Sequence, residues 1–406
     1  MRIGIDACCW SNRRGFGRFT RELLTALAAT NNGNEYVFFA DRETAEDSEF
    51  PEGVKIVAAP TKVAPTTAAS ASGRRSLRDL WALSREVLKY DLDLFFFPAV
   101  YSYFPIINRT KVIVTLHDMI ADHHPNEVFP SRKLRLFWKA KQYVAVRQAD
   151  LILTVSDHSK QAIVDYFSLR HSQVETIPEG PSAVFSVLPR DERMRESLRK
   201  YGLDLGDRFL LYVGGISPHK NLGTLIDAFH QVTSAAGFSD LKLVLVGDYK
   251  DDPFYSDYPF LRGRVDQLGL GVRVVFTGFV DDQELAYLYN ASSLMVMPSL
   301  EEGFGLPVIE AMACGTPAVC SERGSLPEVL GEAGRFFDPT RPESVARAIL
   351  DVLGDERQMS EMARLGLARS RQFTWEAAAR KTAEQFARTI ADNTRPGQVK
   401  RLWSVR

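Results

Sequence analysis

Two carboxylates, Glu302 and Glu310, bracket a glycine-rich stretch in EEGFGLPVIEAMACG, residues 301–315. Between them stand Gly303, Gly305 and Pro307. A glycine-rich turn that opens a helix presents unpaired backbone N–H groups, and these make an anion site. Glycines also let a ligand approach the backbone closely. Pro307 suits the first helical turn, and Gly315 suits the stop behind it. Carboxylates repel phosphate, yet they are good acceptors for vicinal hydroxyls. A ligand with a diphosphate in its middle and sugar hydroxyls at both ends satisfies the whole motif. A nucleotide-sugar is such a ligand. A plainer arrangement explains the same spacing: Glu310 interacts with the dipole of its own helix, and Glu302 is solvated.

The turn needs a strand before it and a helix after it. SLMVMPS reads as that strand, and LPVIEAMAC as a helix of about two turns. The same alternation runs through the chain. RIGIDAC, EYVFFA, VKIVAA, LDLFFFPA, KVIVTLHD and LILTVS are strand candidates in the first half. GRFTRELLTALAAT, RKLRLFWKAKQYVAVRQA and DHSKQAIVDYF are helical there. Strands apolar on both faces suit a parallel sheet covered by helices. The pattern loosens around 181–207 and restarts at FLLYVGG. LKLVLVG, RVVFTG, SLMVMPS and TPAVCS then alternate with helical patterns such as NLGTLIDAFHQV, LRGRVDQLG, DQELAYLYNA and RPESVARAILDVLG. This predicts an α/β fold with two doubly wound, Rossmann-like domains, 1–185 and 206–375, joined by a linker at 186–205. Ligands of such sheets bind beyond the carboxyl ends of the strands, so chemistry is expected in the loops that follow strands, facing a cleft between the domains. The segment 60–73, PTKVAPTTAASASG, reads as a surface loop of the first domain.

The 406 residues carry 50 basic and 51 acidic side chains, a balance without a nucleic-acid signature. A hydrophobic share of 45% supports large cores. The start, MRIGIDACCW, lacks the charged and apolar regions of a signal peptide, and no run of about 18 apolar residues would span a membrane. Cys8, Cys9, Cys314 and Cys320 lack zinc-ligand spacing and read as small buried apolar residues of a reducing, cytoplasmic environment. DLD at 91–93 imitates a metal-binding motif but leads straight into the apolar run LFFF, so we read a strand edge and no metal site; DYKDDP at 248–253 reads as a solvated loop.

With these elements in place, the chain resembles the retaining glycosyltransferases of the GT-B fold, in particular the group 1, glycogen-synthase-like family 4. The resemblance is carried by GFGLPVIEAMACGTPAV around the two glutamates, by LYVGGISPHKNL at 211–222, by VVFTGFVDDQELAYLYNAS at 274–292 and by GSLPEVLGEAGRFFDP at 324–339. GIDACCWSNRRGFGRFTREL and VTLHDMIADHHP in the first domain add to it. It covers most of the chain and implies acceptor binding in the first domain and nucleotide-sugar binding in the second. It also implies that the final helix, in WEAAARKTAEQFARTIADN, crosses back to the first domain, with 376–406 as helix and tail.

The resemblance further implies roles. Lys220 matches the lysine that neutralises the donor diphosphate, where a cation stabilises the leaving group. An arginine usually stands five residues earlier, and this chain has Gly215 there. The base is expected at the backbone of Phe279 and Val280, and Gly303, Phe304, Gly305 and Leu306 at phosphate or sugar oxygens. Glu310 matches the ribose ligand and Glu302 the glutamate near the donor sugar. In the first domain Gly15, Gly17 and Arg18, in GFGR, match a loop that approaches the donor phosphate, and His117 a histidine that reaches the donor sugar. Ser156, Ser159 and Lys160 open a helix at the expected cleft, although an N-cap explains Ser156 equally well.

The implied reaction moves a glycosyl unit from an NDP-sugar, GDP-mannose or a UDP-sugar, to a hydroxyl with retention. No metal or other cofactor is expected. The acceptor is a saccharide or a lipid-linked saccharide of polysaccharide or cell-envelope synthesis. Residues 131–149 hold six basic residues, no acidic ones and interleaved apolar ones, so they read as a membrane-contacting helix or as a packed helix with a solvated basic face. GRRSLRDLW, 73–81, adds basic charge. The protein is expected in the cytoplasm, at the inner face of the plasma membrane if that helix meets lipid. A sugar-nucleotide epimerase on a related fold and a non-catalytic sugar-nucleotide binder are the competing expectations.

Overall fold

The computed structural model of the chain describes residues 1–30, 32–61, 77–129, 131–249 and 256–392. Most of the loop expected at 60–73, most of DYKDDP and the tail from Thr394 lie outside the described residues. Two compact units are present: residues 1–179 with the helix Trp375–Ala391, and residues 180–374.

The first unit is built on a seven-stranded parallel sheet. Its strands are β1 Arg2–Asp6, β2 Glu35–Asp41, β3 Lys55–Ala59, β4 Leu94–Phe97, β5 Lys111–Thr115, β6 Leu151–Thr154 and β7 Val174–Thr176. They lie in the order β3-β2-β1-β4-β5-β6-β7, so the winding reverses between β1 and β4. The LFFF run of β4 is buried on both faces, as expected for a covered parallel strand. Phe95 and Phe97 meet Phe104, with ring centroids 5.6 and 5.1 Å apart. Phe96 points the other way and meets Phe386 of the last helix at 5.2 Å. That helix also places Trp375 against Phe19, 5.8 Å between centroids, in the helix Gly15–Ala29.

In the second unit six parallel strands form a sheet of order β10-β9-β8-β11-β12-β13. They are β8 Phe209–Val213, β9 Lys242–Val246, β10 Val274–Gly278, β11 Leu294–Met297, β12 Ala318–Ser321 and β13 Arg335–Phe337. Here the winding reverses between β8 and β11, which pair through Leu210 with Leu294 and Leu211 with Met295. Loops leaving two such neighbours diverge to opposite faces and leave a crevice at their carboxyl ends.

The segment expected as a linker differs from that expectation. Residues 192–199 form a helix, capped by Asp191, whose carboxylate accepts from the Met194 amide at 3.0 Å. The stretch belongs to the second unit and is held there by Glu284, which pairs with Lys200 and accepts from the Tyr201 hydroxyl at 2.5 Å. Its polar composition, ERMRESLR, masks an amphipathic helix of which only Met194, Ser197 and Leu198 are buried.

Candidate active site

The second unit assembles its candidate residues at the winding reversal. After β8 the chain passes Gly214 and Gly215, and the Gly215 carbonyl accepts from the Tyr212 hydroxyl at 2.8 Å. A short 3-10 turn, Pro218–Lys220, follows, and Asn221 adopts the left-handed region at φ +59°. The Asn221 amide donates to the carbonyls of Pro298 and Pro339, at 3.1 and 2.7 Å. The His219 carbonyl accepts from the Leu300 amide at 2.9 Å. These bonds tie the loop after β8 to the loops after β11 and β13. Lys220 Nζ thereby stands 2.7 and 2.9 Å from the two carboxylate oxygens of Glu302. Ser299 donates to Glu302 Oε1 at 2.6 Å. The pair is largely enclosed, with 16% of the lysine and 11% of the glutamate side chain exposed.

The turn behind Glu302 is pinned from outside itself. Ser325 Oγ lies 3.0 Å from the Glu302 carbonyl and 2.7 Å from the Phe304 carbonyl. The Phe304 ring packs on Phe373 at 5.8 Å. Gly305 is left-handed at φ +102°, and a Cβ there would fall 2.8 Å from Leu326 Cδ2. Only glycine meets both conditions without strain. The helix Leu306–Ala313 starts at this point with no side-chain cap; Pro307 has no N–H and Val308 donates its own to the Gly305 carbonyl at 2.9 Å, so the helix start offers the Leu306 amide to whatever the turn binds. Glu310, one turn in, is 3% exposed and accepts from the Tyr289 hydroxyl at 2.9 Å. Buried neutral groups flank both carboxylates. Burial, then the charge of Glu302, pushes the Tyr212 phenol well above its ordinary value. Burial, then Glu310, pushes the Cys314 thiol up to about 12. Phe279 is exposed just behind β10, and Val280 is buried beside it.

The first unit brings its own candidates together around the helix Gly15–Ala29. The loop 10–14 folds over the helix start, locked by Arg21 Nη1 donating to the carbonyls of Trp10 and Asn12 at 2.6 and 2.7 Å. A Cβ at Gly17 would fall 2.0 Å from the Asn12 carbonyl oxygen, so this glycine makes the overlap possible. Gly15 has open space instead, and Arg18 is half-buried in the first turn. His117, behind β5, meets the edge of the Phe19 ring at 4.7 Å. Both of its ring nitrogens are enclosed and hydrogen-bonded to none of the described residues. Burial lowers its pKa to about 4, so the ring is neutral near pH 7. Ser156 is an N-cap: its hydroxyl accepts from the Ser159 amide at 3.0 Å.

In one unit Lys220 thus contacts Glu302, with Gly303, Gly305 and Glu310 in the turn and helix that follow; in the other, His117 contacts Phe19 of the helix that carries Gly17 and Arg18. Sequence reasoning assigned no role to Ser299, Ser325, Asn221 or Tyr289. Ser299, three residues before Glu302, and Asn221, beside Lys220, carried a proximity signal; Tyr289 and Ser325 carried none.

Two Rossmann-like units, each with its polar cluster behind the carboxyl ends of parallel strands, define a GT-B architecture. Residues 193–367 match the family described as glycosyl transferases group 1, and residues 13–181 match Glycosyltransferase Family 4. The chain belongs to the group 1 glycosyltransferases. It is 32% identical to the O-antigen chain mannosyltransferase B of Escherichia coli over 287 residues, which cover 68% of this chain and 70% of that one. The fold is shared with a sucrose-phosphate synthase from Thermosynechococcus elongatus, at a TM-score of 0.74 and 22% identity over 96% of this chain and 99% of that one. It is also shared with Anabaena HepE in complex with UDP-glucose, at a TM-score of 0.73 and 19% identity over 96% of this chain and all of that one.

Proposed function

We propose that this glycosyltransferase moves a hexosyl unit, mannosyl before others, from an NDP-sugar to a hydroxyl of a glycan or lipid-linked acceptor in cell-envelope polysaccharide synthesis. Transfer proceeds with retention, in the cytoplasm and without a metal. The observation that carries this is the placement of Lys220 and Glu302 against the uncapped start of the helix Leu306–Ala313, with Glu310 one turn further. Cation and helix-start amide together suit a diphosphate; the two carboxylates suit the hydroxyls at its ends. The likeness to a mannosyltransferase supports the sugar, with GDP-mannose as donor, and the UDP-glucose complex of HepE supports a nucleotide-sugar.

The chemistry asked of the protein is modest. The anomeric C–O bond to the diphosphate breaks, and the acceptor oxygen attacks from the same face. The acceptor's proton passes to the departing diphosphate oxygen. Lys220 and the helix start stabilise the charge that develops there. Glu302 is poorly placed to be a nucleophile, because Lys220 holds both of its oxygens and Ser299 one of them. It serves to position the donor sugar. Neutral His117 offers a hydrogen bond and no charge.

A panel of NDP-sugars, followed for NDP release with and without oligosaccharide acceptors, tests this. Acceptor-dependent release from GDP-mannose, with an α-linked product by NMR, is expected. Donor conversion without NDP release would reveal an epimerase, and tight donor binding with no turnover a binder; either overturns the proposal.

A further inference from the structure

The helix Arg132–Gln148 is anchored on one side only. Trp138 Nε1 donates to Asp122 at 3.2 Å, and Gln148 exchanges two hydrogen bonds with the backbone of Ile106 at 2.9 and 2.7 Å. Trp138, Gln142, Ala145 and Val146 are buried on that side. The opposite side carries Leu136, which is 70% exposed, with Phe137, Tyr143 and Val144 also exposed. Arg132 and Lys133 lie exposed at the start of this stripe, and Arg147 lies over the Tyr143 ring at its end.

A second helix, Leu77–Val87, also exposes apolar residues. Trp81 is 60% exposed there, Leu88 is exposed just behind it, and Arg78 and Arg85 flank them. Ser84 Oγ lies 2.6 Å from the Pro105 carbonyl, so residues 105–106 join the two helices. Ile107, next in the chain, is exposed. All of these belong to one layer. Phe104 lies on the face of the sheet that Phe95 and Phe97 point to, opposite the last helix. Of the nine large apolar side chains exposed on described residues of the first unit, seven lie on these three segments.

Water is a poor partner for such a layer, and aromatic and aliphatic tips among arginines and lysines match the interface of an anionic bilayer. We propose that this layer of the first unit docks on anionic membrane lipid. Leu136, Phe137 and Trp81 enter the acyl boundary, and the basic residues meet the headgroup charge. No helix among the described residues is long and apolar enough to cross a membrane, so the contact is peripheral. This rests on the exposed layer alone and stands apart from the donor site.

The test is co-sedimentation of the full chain, without donor, on vesicles of phosphatidylcholine with or without phosphatidylglycerol. Binding only to the anionic vesicles is expected. Arg132→Gln with Lys133→Gln should weaken it by roughly fivefold per charge. Leu136→Asp with Phe137→Asp should weaken it by at least about tenfold, with circular dichroism melts as the folding control. Brominated acyl chains should quench the protein's fluorescence; with Trp403, which lies outside the described residues, first changed to phenylalanine, Trp81→Phe should abolish most of that quenching, because Trp10, Trp138 and Trp375 are buried. Equal binding to neutral vesicles would overturn the proposal, as would binding indifferent to Leu136 and Phe137. So would absent lipid binding together with self-association abolished by the same substitutions, which would make the layer an interface between copies of the chain. Donor turnover is not read in any arm, so failure here leaves the transfer proposal standing.

Discussion

Lys220 and Glu302 stand 82 residues apart in the chain, yet the lysine Nζ meets both carboxylate oxygens at 2.7 and 2.9 Å. The strands before them are neighbours, and the sheet winds away from both. The cation proposed for the donor diphosphate and the carboxylate proposed for the donor sugar hold each other in the free protein. Donor binding then has to divide an existing ion pair, and the first prediction concerns its strength. Lys220→Met should destabilise the protein by about 3 kcal/mol, since it strands a largely buried carboxylate. Adding Glu302→Gln should recover part of that loss, with a coupling of about 1–3 kcal/mol in a double-mutant cycle. Urea unfolding of the four proteins measures it; strict additivity would show that the pair is not coupled.

The two glutamates should separate by ligand. Glu310→Ala should weaken NDP and NDP-sugar alike in calorimetric titrations, because the ribose is common to both. Glu302→Ala should leave NDP affinity intact or raised, as Lys220 is released, while transfer falls. Equal loss of NDP affinity in both variants would refute this division of roles.

Tyr289 is expected to act through Glu310. Tyr289→Phe removes the 2.9 Å hydrogen bond to a carboxylate that is 3% exposed. A stability loss of about 1–3 kcal/mol is expected, accompanied by a smaller loss of NDP affinity than Glu310→Ala produces. Thermal melts with and without NDP report both.

Gly15 and Gly17 should respond oppositely to alanine. A Cβ at Gly15 meets nothing within 4 Å, so Gly15→Ala should fold as well as the parent. At Gly17 the added carbon would overlap the Asn12 carbonyl at 2.0 Å and force the loop off the helix. Gly17→Ala should cost about 3 kcal/mol or more, read by chemical unfolding.

His117 predicts a pH dependence. Its folded pKa, about 4, lies below the ordinary histidine value of 6.5. The unfolded chain therefore binds the extra proton first as pH falls. The stability linked to this neutral ring is full above pH ~6.5 and is lost progressively down to about pH 4. His117→Phe keeps a ring against Phe19 and removes the proton site. The stability difference between parent and variant should shift in the variant's favour across that window; a constant difference would contradict the enclosure of the ring.

Local features of this chain were legible in its sequence. The helix inside EEGFGLPVIEAMACG runs over Leu306–Ala313, with Gly305 and Gly315 left-handed at its two ends. DHSKQAIVDYF is a helix over its whole length, Asp157–Phe167. Turn chemistry and periodicity are set by residues a few positions apart, so a window of sequence contains the information. Two parallel sheets followed from the alternation of apolar runs with amphipathic ones. Where composition was very polar, as in ERMRESLR, the same window misled, because only a narrow apolar face holds that helix to its unit.

Tertiary structure alone decided the rest. Which strands become neighbours depends on crossovers tens of residues long, and that order alone joins Lys220 to Glu302. Asn221, Ser325 and Tyr289 acquire their parts in the same way, through bonds to Pro298, Phe304 and Glu310 made across intervening elements. The basic helix was legible as amphipathic, but which of its sides is packed was not. Trp138 could find Asp122 only in the folded unit, and that contact leaves Leu136 and Phe137 facing outward. Sequence sets what each segment prefers to be; burial, which is a property of the assembled layers, determines what each side chain meets.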